Sequence, residues 1–454
     1  MAIQVDRLTD DALLLSSEEQ KRLADQRKVE DIRNNHRGWS KHLRLLWLLL
    51  GPGILVMLGD NDAGGVITYA QTGAQYGIGF FVPFLVLMIP VAYVVQEMTV
   101  RLGAVTGYGH AELIFTRFGK FWGMFSLVDL VIGNILTLTT EFIGMGAGLA
   151  VFGVPLPVAI ILSAALLIAI VLSGRYFTAE KAVLAFAIFN VVFVPIAFMV
   201  HSHPIDIWHS FGNWSIPGGF TTAFLFLIIA NVGTTIAPWM LFYQQGAVVD
   251  KGLTPKDIRH GRIDTLTGSV LMGIIAIAIV VTTGSSLFAH HISTSGFSPA
   301  QFISALAPFG GKVVSVLFGL GLFEAGFVAA VTVAMSSAWS FGEAFKVRHS
   351  MNWKLHEAPA FYSVYVGSVV FAAAIVLIPH APLELIAITV QVIATLLMPP
   401  ALGFLLLLLN DKELMGQHVN GIFSNVFSWT IVVGILALST VLGVTTVLPG
   451  LIHV

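Results

Sequence analysis

No cysteine occurs among the 454 residues. That excludes a disulfide framework, a thiol nucleophile and a cysteine-ligated zinc site, and leaves the redox compartment open. Any metal chemistry must then use oxygen, nitrogen or thioether ligands. Charge is scarce as well: Asp, Glu, Lys and Arg make up 11% of the chain, against roughly 25% in soluble domains, which excludes an ordinary soluble protein. The net charge of −2 carries no electrostatic footprint for nucleic acid. Intrinsic disorder is excluded by a 56% hydrophobic composition and a mean hydropathy of +0.86. The first 44 residues mix nine basic with eight acidic side chains and hold no apolar core, so no cleavable signal peptide is expected and the first span serves as its own insertion signal.

What is present in abundance is uncharged apolar sequence. The stretches 63–96, 142–174, 182–205, 207–249, 265–311 and 414–454 contain no Asp, Glu, Lys or Arg. About 20 apolar residues span a bilayer as a helix, so several of these stretches hold more than one span. Split at polar or Pro/Gly-rich breaks, they give eleven expected helices, starting near residues 45, 78, 120, 154, 181, 219, 264, 313, 358, 383 and 426. With the N-terminus on the cytoplasmic side, nine of the 23 basic residues lie in the tail and Lys312 alone falls outside, as the bias of short cytoplasmic loops toward Lys and Arg demands. The expectation is an all-α integral membrane protein of the cell membrane with a cytoplasmic N-terminus. A tail over 1–43 precedes a first group of spans over 44–204, a second over 219–409 and a last span over 424–452.

Two spans look broken. The first reads Gly51-Pro52-Gly53 and then Asp60-Asn61-Asp62-Ala63-Gly64-Gly65; the sixth reads Asn231-Val232-Gly233-Thr234-Thr235-Ile236-Ala237-Pro238-Trp239. Pro238 removes a backbone donor and clashes with the preceding turn. Five spans apart, the two helices run in opposite directions, the sequence pointer to a transporter with an inverted repeat and a binding site at mid-membrane. Freed carbonyls survive at that depth only where protein or a wet cavity surrounds them.

Ionisable groups within spans are costly and mark function. In an extended segment Asp60 and Asp62 share a face, so both carboxylates can reach one hard cation; a structural role capping the half-helix is the alternative. The carbonyls of Thr234 and Ala237 are candidates for release toward the same space, unless Pro238 is a simple kink. Glu141 is read as part of an ion path or as a helix-pairing group. Gln391, the lone polar residue in Ile388-Thr389-Val390-Gln391-Val392, is either helix glue or a late ligand. For Glu97, Asp129 and Glu324 interhelical pairing is expected. Enzyme signatures are missing: there is no His-Glu-x-x-His, and Met57-Leu58-Gly59-Asp60 lacks the first glycine of an intramembrane aspartyl protease element.

Taken together, Gly51-Pro52-Gly53, Gly59-Asp60-Asn61-Asp62-Ala63-Gly64-Gly65, Gly73-Ala74-Gln75-Tyr76-Gly77, Met98-Thr99-Val100-Arg101-Leu102-Gly103 and Asn410-Asp411-Lys412-Glu413-Leu414-Met415-Gly416 resemble the natural resistance-associated macrophage protein (NRAMP) divalent-metal transporters from about residue 45 onward. The resemblance implies a LeuT-type inverted repeat of five plus five helices, with helices 1 and 6 broken. It assigns Asp62 to the first-helix carboxylate ligand, Thr234 and Ala237 to the sixth-helix carbonyl and thioether positions, and Gln391 to a tenth-helix residue that approaches the ion.

The departures are informative. The family's first-helix Asp-Pro-Gly-Asn is here Asp62-Ala63-Gly64-Gly65, and its sixth-helix Met-Pro-His is Ala237-Pro238-Trp239. Losing the thioether removes a bias toward softer transition metals. Ala237 and Gly65 also leave a roomier site lined by oxygen, suited to a Mg²⁺ ion that keeps several waters, as in the NRAMP-related magnesium transporters. In proton-coupled members the Met-Pro-His histidine and a third-helix Asp-x-x-Glu pair take part; here the positions hold Trp239 and Leu138, with Glu141 retained. The expectation is an importer of Mg²⁺, and of Mn²⁺, by alternating access without proton coupling. A proton-coupled Mn²⁺/Fe²⁺ transporter is the alternative, and a sodium-coupled amino-acid transporter a remote one. The ion is cargo; no cofactor, nucleic acid or obligate protein partner is called for, only the bilayer.

Overall fold

The computed structural model describes residues 51–172, 183–200, 204–294, 296–349 and 355–447. The tail, and the part of the first span before Gly51, lie outside the described residues. Among those described the chain is helical, with no strand. The order is α1 (Pro52–Asp60), α2 (Ala63–Tyr76), α3 (Phe81–Thr106), α4 (His110–Ala150), α5 (Leu156–Leu172), α6 (Val183–Met199), α7 (Pro204–Asn213), α8 (Thr222–Thr235), α9 (Pro238–Asp250), α10 (Ile258–Thr283), α11 (Pro299–Ala305), α12 (Ala307–Phe345), α13 (Pro359–Val376), α14 (Leu383–Leu409), α15 (Lys412–Met415) and α16 (Ile422–Val447).

Among the described residues, eight helical segments are long and apolar enough to cross a membrane. Two shorter apolar helices, α5 and α6, and the interrupted segment α1–α2 occupy the places of the other expected spans. The starts expected near 120 and 313 fall inside long helices, where Gly119 (φ 84°) and Gly311 (φ 73°) interrupt the helical backbone.

Burial sorts the helices into layers. The window across α8 and α9 is 94% buried, whereas that of α16 is 17% buried, so the broken spans are central and the last helix peripheral. α12 lies along α4, α1 and α2 pack on α10, and α8 packs on α14. Both expected breaks are present. The first falls at Asn61 and Asp62, between α1 and α2. The second falls at Ile236 and Ala237, both extended (φ −144° and −117°), between α8 and α9.

The start of α1 is pinned to α10 by one carboxylate. Asp264 accepts the backbone N–H of Gly53 at 2.7 Å, of Ile54 at 3.3 Å and of Gly51 at 3.3 Å, satisfying donors that a helix N-terminus otherwise leaves orphaned. The approach needs glycine: a Cβ on Gly53 would lie 2.7 Å from the Thr265 nitrogen. Asp264→Ala is expected to cost about 2 kcal/mol, read as a lower melting temperature of the purified protein in detergent; an unchanged melting temperature would show that these bonds are replaced by water.

Candidate cation site

The site begins with what the two breaks leave unsatisfied. Asp62 caps α2, accepting the Gly65 N–H, and the Nε2 of Gln391 on α14 donates to its two oxygens at 3.2 and 3.4 Å. Glu141 on α4 closes the same helix end: its Oε2 accepts the Ala63 N–H at 2.9 Å, and its Oε1 the Thr140 hydroxyl at 3.1 Å. The carboxyl groups of Glu141 and Asp62 are themselves in contact. Asp60 ends α1, within electrostatic reach of Asp62, and its Oδ2 has no hydrogen-bond partner among the described residues.

From the opposite break, Thr234 reaches toward α2. A methyl group at Gly65 would touch both the Asp62 carboxylate, at 3.0 Å, and Thr234 Cβ, at 3.4 Å. The Thr234 hydroxyl donates to Tyr69 of α2 at 2.8 Å. In a continuous helix the carbonyl of Thr234 accepts from residue 238; that residue is proline, so the bond cannot form. The Ala237 carbonyl accepts the Met240 N–H at 3.2 Å and keeps a second lone pair.

Two glycines, one on each broken span, seat Gln391. A Cβ on Gly64 would collide with the Gln391 side-chain amide nitrogen, and one on Gly233 with the Gln391 backbone carbonyl. The α8–α14 contact is thereby close enough for Gln391 to reach Asp62. Asp60, Asp62, Thr234 and Gln391 are each no more than 3% exposed, and Glu141 is fully buried.

Trp239 lies beside the end of α1: its Cη2 is 3.5 Å from where a methyl on Gly59, the neighbour of Asp60, would be, and its Nε1 has no partner among the described residues. Three contributors escape the sequence reading. Tyr69 ties α2 to Thr234, and the Thr72 hydroxyl on the same helix accepts from the Asn231 amide at 2.9 Å. The third is sulfur: the Met240 thioether accepts the Ala237 N–H at 3.4 Å, so the end of α9 carries a buried sulfur that the Ala237 side chain does not supply. The signal for it was its position three residues past the break. Of the remaining acids, Glu97 does pair, with Arg101 at 3.2 Å and Arg262 at 2.7 Å. Interhelical pairing was also expected for Glu324, yet neither of its carboxylate oxygens has a partner among the described residues.

The electrostatics favour a cation. Neither Asp60 nor Asp62 has an ion-pair partner among the described residues, and an uncompensated carboxylate in the interior is strongly disfavoured. The C-terminal ends of α1 and α8 meet here and bring partial negative charge from their carbonyls. Among the described residues no group of three or more His, Cys, Asp or Glu forms a ready-made metal cage; amides, carbonyls and bound water would have to complete the shell.

A profile of the family described as natural resistance-associated macrophage protein-like matches residues 53–445. A divalent metal cation transporter, MntH, from Staphylococcus saprophyticus is 26% identical over 87% of this chain and 91% of its own length. Among solved structures, the Eremococcus coleocola manganese transporter superposes with a TM-score of 0.70 at 20% identity, covering 89% of this chain and 88% of its own. MhsT in complex with L-phenylalanine superposes with a TM-score of 0.55 at 14% identity, covering 87% of this chain and 98% of its own.

Proposed function

The chain belongs to the NRAMP family of membrane transporters, with its LeuT-type fold, and on that premise we propose that it imports Mg²⁺, and also Mn²⁺, through the oxygen-lined junction of its two broken helices. It is a divalent-metal transporter and not an enzyme. The observation that carries the magnesium reading is the pair of buried acids Asp60 and Asp62, without a basic partner among the described residues, at a junction where residues 65 and 237 bring no ligating side chain. Mg²⁺ binds through one or two carboxylates while keeping several waters, and in this reading Gly65 and Ala237, having no ligating side chain, leave the rest of the shell to backbone oxygen and water. In this reading Asp60 and Asp62 hold the ion or its waters, Thr234 and Ala237 contribute carbonyl oxygen, and Gln391 orients Asp62. The two repeats, 44–204 and 219–409, rock about the site with the eleventh span, 424–452, outside them. The protein sits in the cell membrane with its N-terminus in the cytoplasm.

Transport is driven by the membrane potential, at roughly 2.3 kcal/mol per charge per 100 mV, because the position of the family's histidine holds Trp239 and its indole cannot carry a proton at neutral pH. Proteoliposomes with an internal pH dye test both parts. Mg²⁺ and Mn²⁺ are expected to enter under an inside-negative potential without internal acidification. Stoichiometric acidification refutes the uncoupled mechanism, and uptake of Mn²⁺ alone refutes the magnesium assignment; uptake of alanine in place of metal points to an amino-acid transporter.

Restoring sulfur at the break gives a sharper prediction. Ala237→Met is expected to raise Mn²⁺ or Cd²⁺ affinity over Mg²⁺ by about tenfold, the order of a single soft-ligand contact, measured by competition for uptake. An unaltered ratio would mean that residue 237 does not face the ion.

A further inference from the structure

Away from the broken helices, near the start of α10, the helices α3, α10 and α16 leave a cavity of about 610 Å³ whose lining includes Tyr93, Glu97, Arg262, Phe423, Val426 and Phe427. That volume lies within the roughly 300–1,000 Å³ of clefts that hold a small ligand. Its outer side is open, since Phe423 is 93% exposed and Val426 is exposed as well. Beyond Arg262 the apolar surface continues along α10 as Ile263, Leu266, Val270 and Ile274, all exposed; spaced three and four apart, they form one stripe. Transport of the metal ion uses none of these residues.

The polar end of the cavity carries surplus positive charge. Glu97 stands between two arginines: its Oε2 accepts from Arg101 Nη2 at 3.2 Å, and its Oε1 accepts from Arg262 Nε at 2.8 Å and lies 2.7 Å from Arg262 Nη2. Arg101 is buried and also donates to the His418 carbonyl and to Asn420 Oδ1. A single carboxylate shared by two guanidiniums leaves one positive charge over, and Arg262 brings it to the cavity, its side chain 49% exposed. A guanidinium has five N–H donors in a planar fork, so those that do not serve Glu97 remain for a ligand. Tyr93 lies within electrostatic reach of both Glu97 and Arg262. Arg259, one turn earlier on the same face of α10 and exposed, adds a second positive charge.

We propose that this cavity binds a single phospholipid with an anionic headgroup, its phosphate on Arg262 and an acyl chain laid along the apolar stripe of α10 beside Phe423 and Phe427 of α16. The guanidinium fork matches a phosphate with two parallel N–H···O bonds. Basic pockets between spans collect anionic headgroups at the membrane surface, and Arg262 lies in the second turn of a 26-residue apolar helix, the depth at which a headgroup sits. Charge selects the lipid: a zwitterionic headgroup brings an ammonium to a place already holding surplus positive charge. The lipid joins the peripheral α16 to α3 and α10. Arg262 is also two residues before Asp264, which pins α1, so occupancy bears on the same turn of α10 that anchors the first broken span. The site stands whichever divalent ion is carried.

Native mass spectrometry of the purified full-length protein, in detergent with equal amounts of phosphatidylglycerol and phosphatidylcholine of identical acyl chains and without metal, tests the proposal. Wild type is expected to retain a single phosphatidylglycerol with about tenfold preference, the order of a charge-assisted hydrogen-bond pair. Arg262→Gln is expected to abolish the preference, and its fold should survive because Glu97 keeps Arg101. Phe423→Asp, at a side chain too exposed to matter for packing, should abolish it as well by placing a negative charge against the headgroup. If Arg262→Gln does not fold, as judged by gel filtration, Phe423→Asp decides the matter. Arg117→Gln makes the same charge change outside the cavity and should retain the lipid as wild type does. Glycerol 3-phosphate, a soluble source of the same phosphate, is expected not to displace the lipid. Equal retention of both lipids by wild type, as for lipid that merely coats the bundle, overturns the proposal. So does a preference that survives Phe423→Asp, one lost equally in Arg117→Gln, or displacement by glycerol 3-phosphate.

Discussion

Asp62→Asn is expected to lower divalent-metal uptake by at least about a hundredfold while leaving the fold intact. Asparagine matches aspartate in shape, and its amide oxygen can still accept from the Gly65 N–H and from Gln391 Nε2. What disappears is the formal charge at the junction of the two breaks. Loss of one member of a buried charge pair costs about 3–5 kcal/mol, which at 1.4 kcal/mol per decade is two orders of magnitude or more in affinity. Initial rates of Mn²⁺ entry into proteoliposomes, compared at equal protein content and equal melting temperature, measure this. Uptake at the wild-type rate would remove Asp62 from the ion's path.

Gly64→Ala is the second large effect, and it acts through packing. The new methyl group would fall on the Gln391 amide nitrogen and lie 2.9 Å from the Thr140 hydroxyl oxygen. Overpacking costs about 1–3 kcal/mol, and the flexible end of Gln391 is the part that can yield. It can do so only by giving up its bonds to Asp62. Uptake is expected to fall more than about tenfold, with folding retained. The variant Gly64→Ala/Gln391→Ala should be less impaired than the sum of the single changes, because the methyl group then has room; strict additivity would show that Gln391 is not what the methyl displaces.

How much of this was written in the chain depends on the range of the interaction. The spans follow from charge-free runs and their Pro/Gly punctuation, and even the starts near 120 and 313 are marked by the glycines that interrupt the helices at 119 and 311. The broken helices follow from local chemistry, since Pro238 deprives Thr234 of its bond wherever the helix packs. Asp62 and Gln391 could be named because each is a polar residue out of place in an apolar run. That they touch depends on Gly64 and Gly233 admitting α14, a contact spanning 329 residues, and no periodicity encodes that.

Glu141 illustrates the same limit. As a lone acid in a span it could be an ion-path group or a pairing group; its placement on the Ala63 N–H, beside Asp62, comes from how α4 crosses α2. Glu324 shows the reverse failure, because pairing was the ordinary expectation for a buried acid and none of the described residues supplies it. Met240 was hidden by its ordinariness: apolar, in an apolar helix, and notable only once Ala237 lost its helical continuity.

Met240 also makes the central claim measurable. X-ray absorption at the Mn K-edge, on the purified protein loaded with Mn²⁺ as a stand-in for Mg²⁺, reports the atoms around the ion. Oxygen neighbours without sulfur are predicted for wild type, with a sulfur scatterer appearing only in Ala237→Met. A sulfur neighbour in wild type that vanishes in Met240→Leu would contradict the account, since the ion would then be held by a thioether and the case for a magnesium site would be gone.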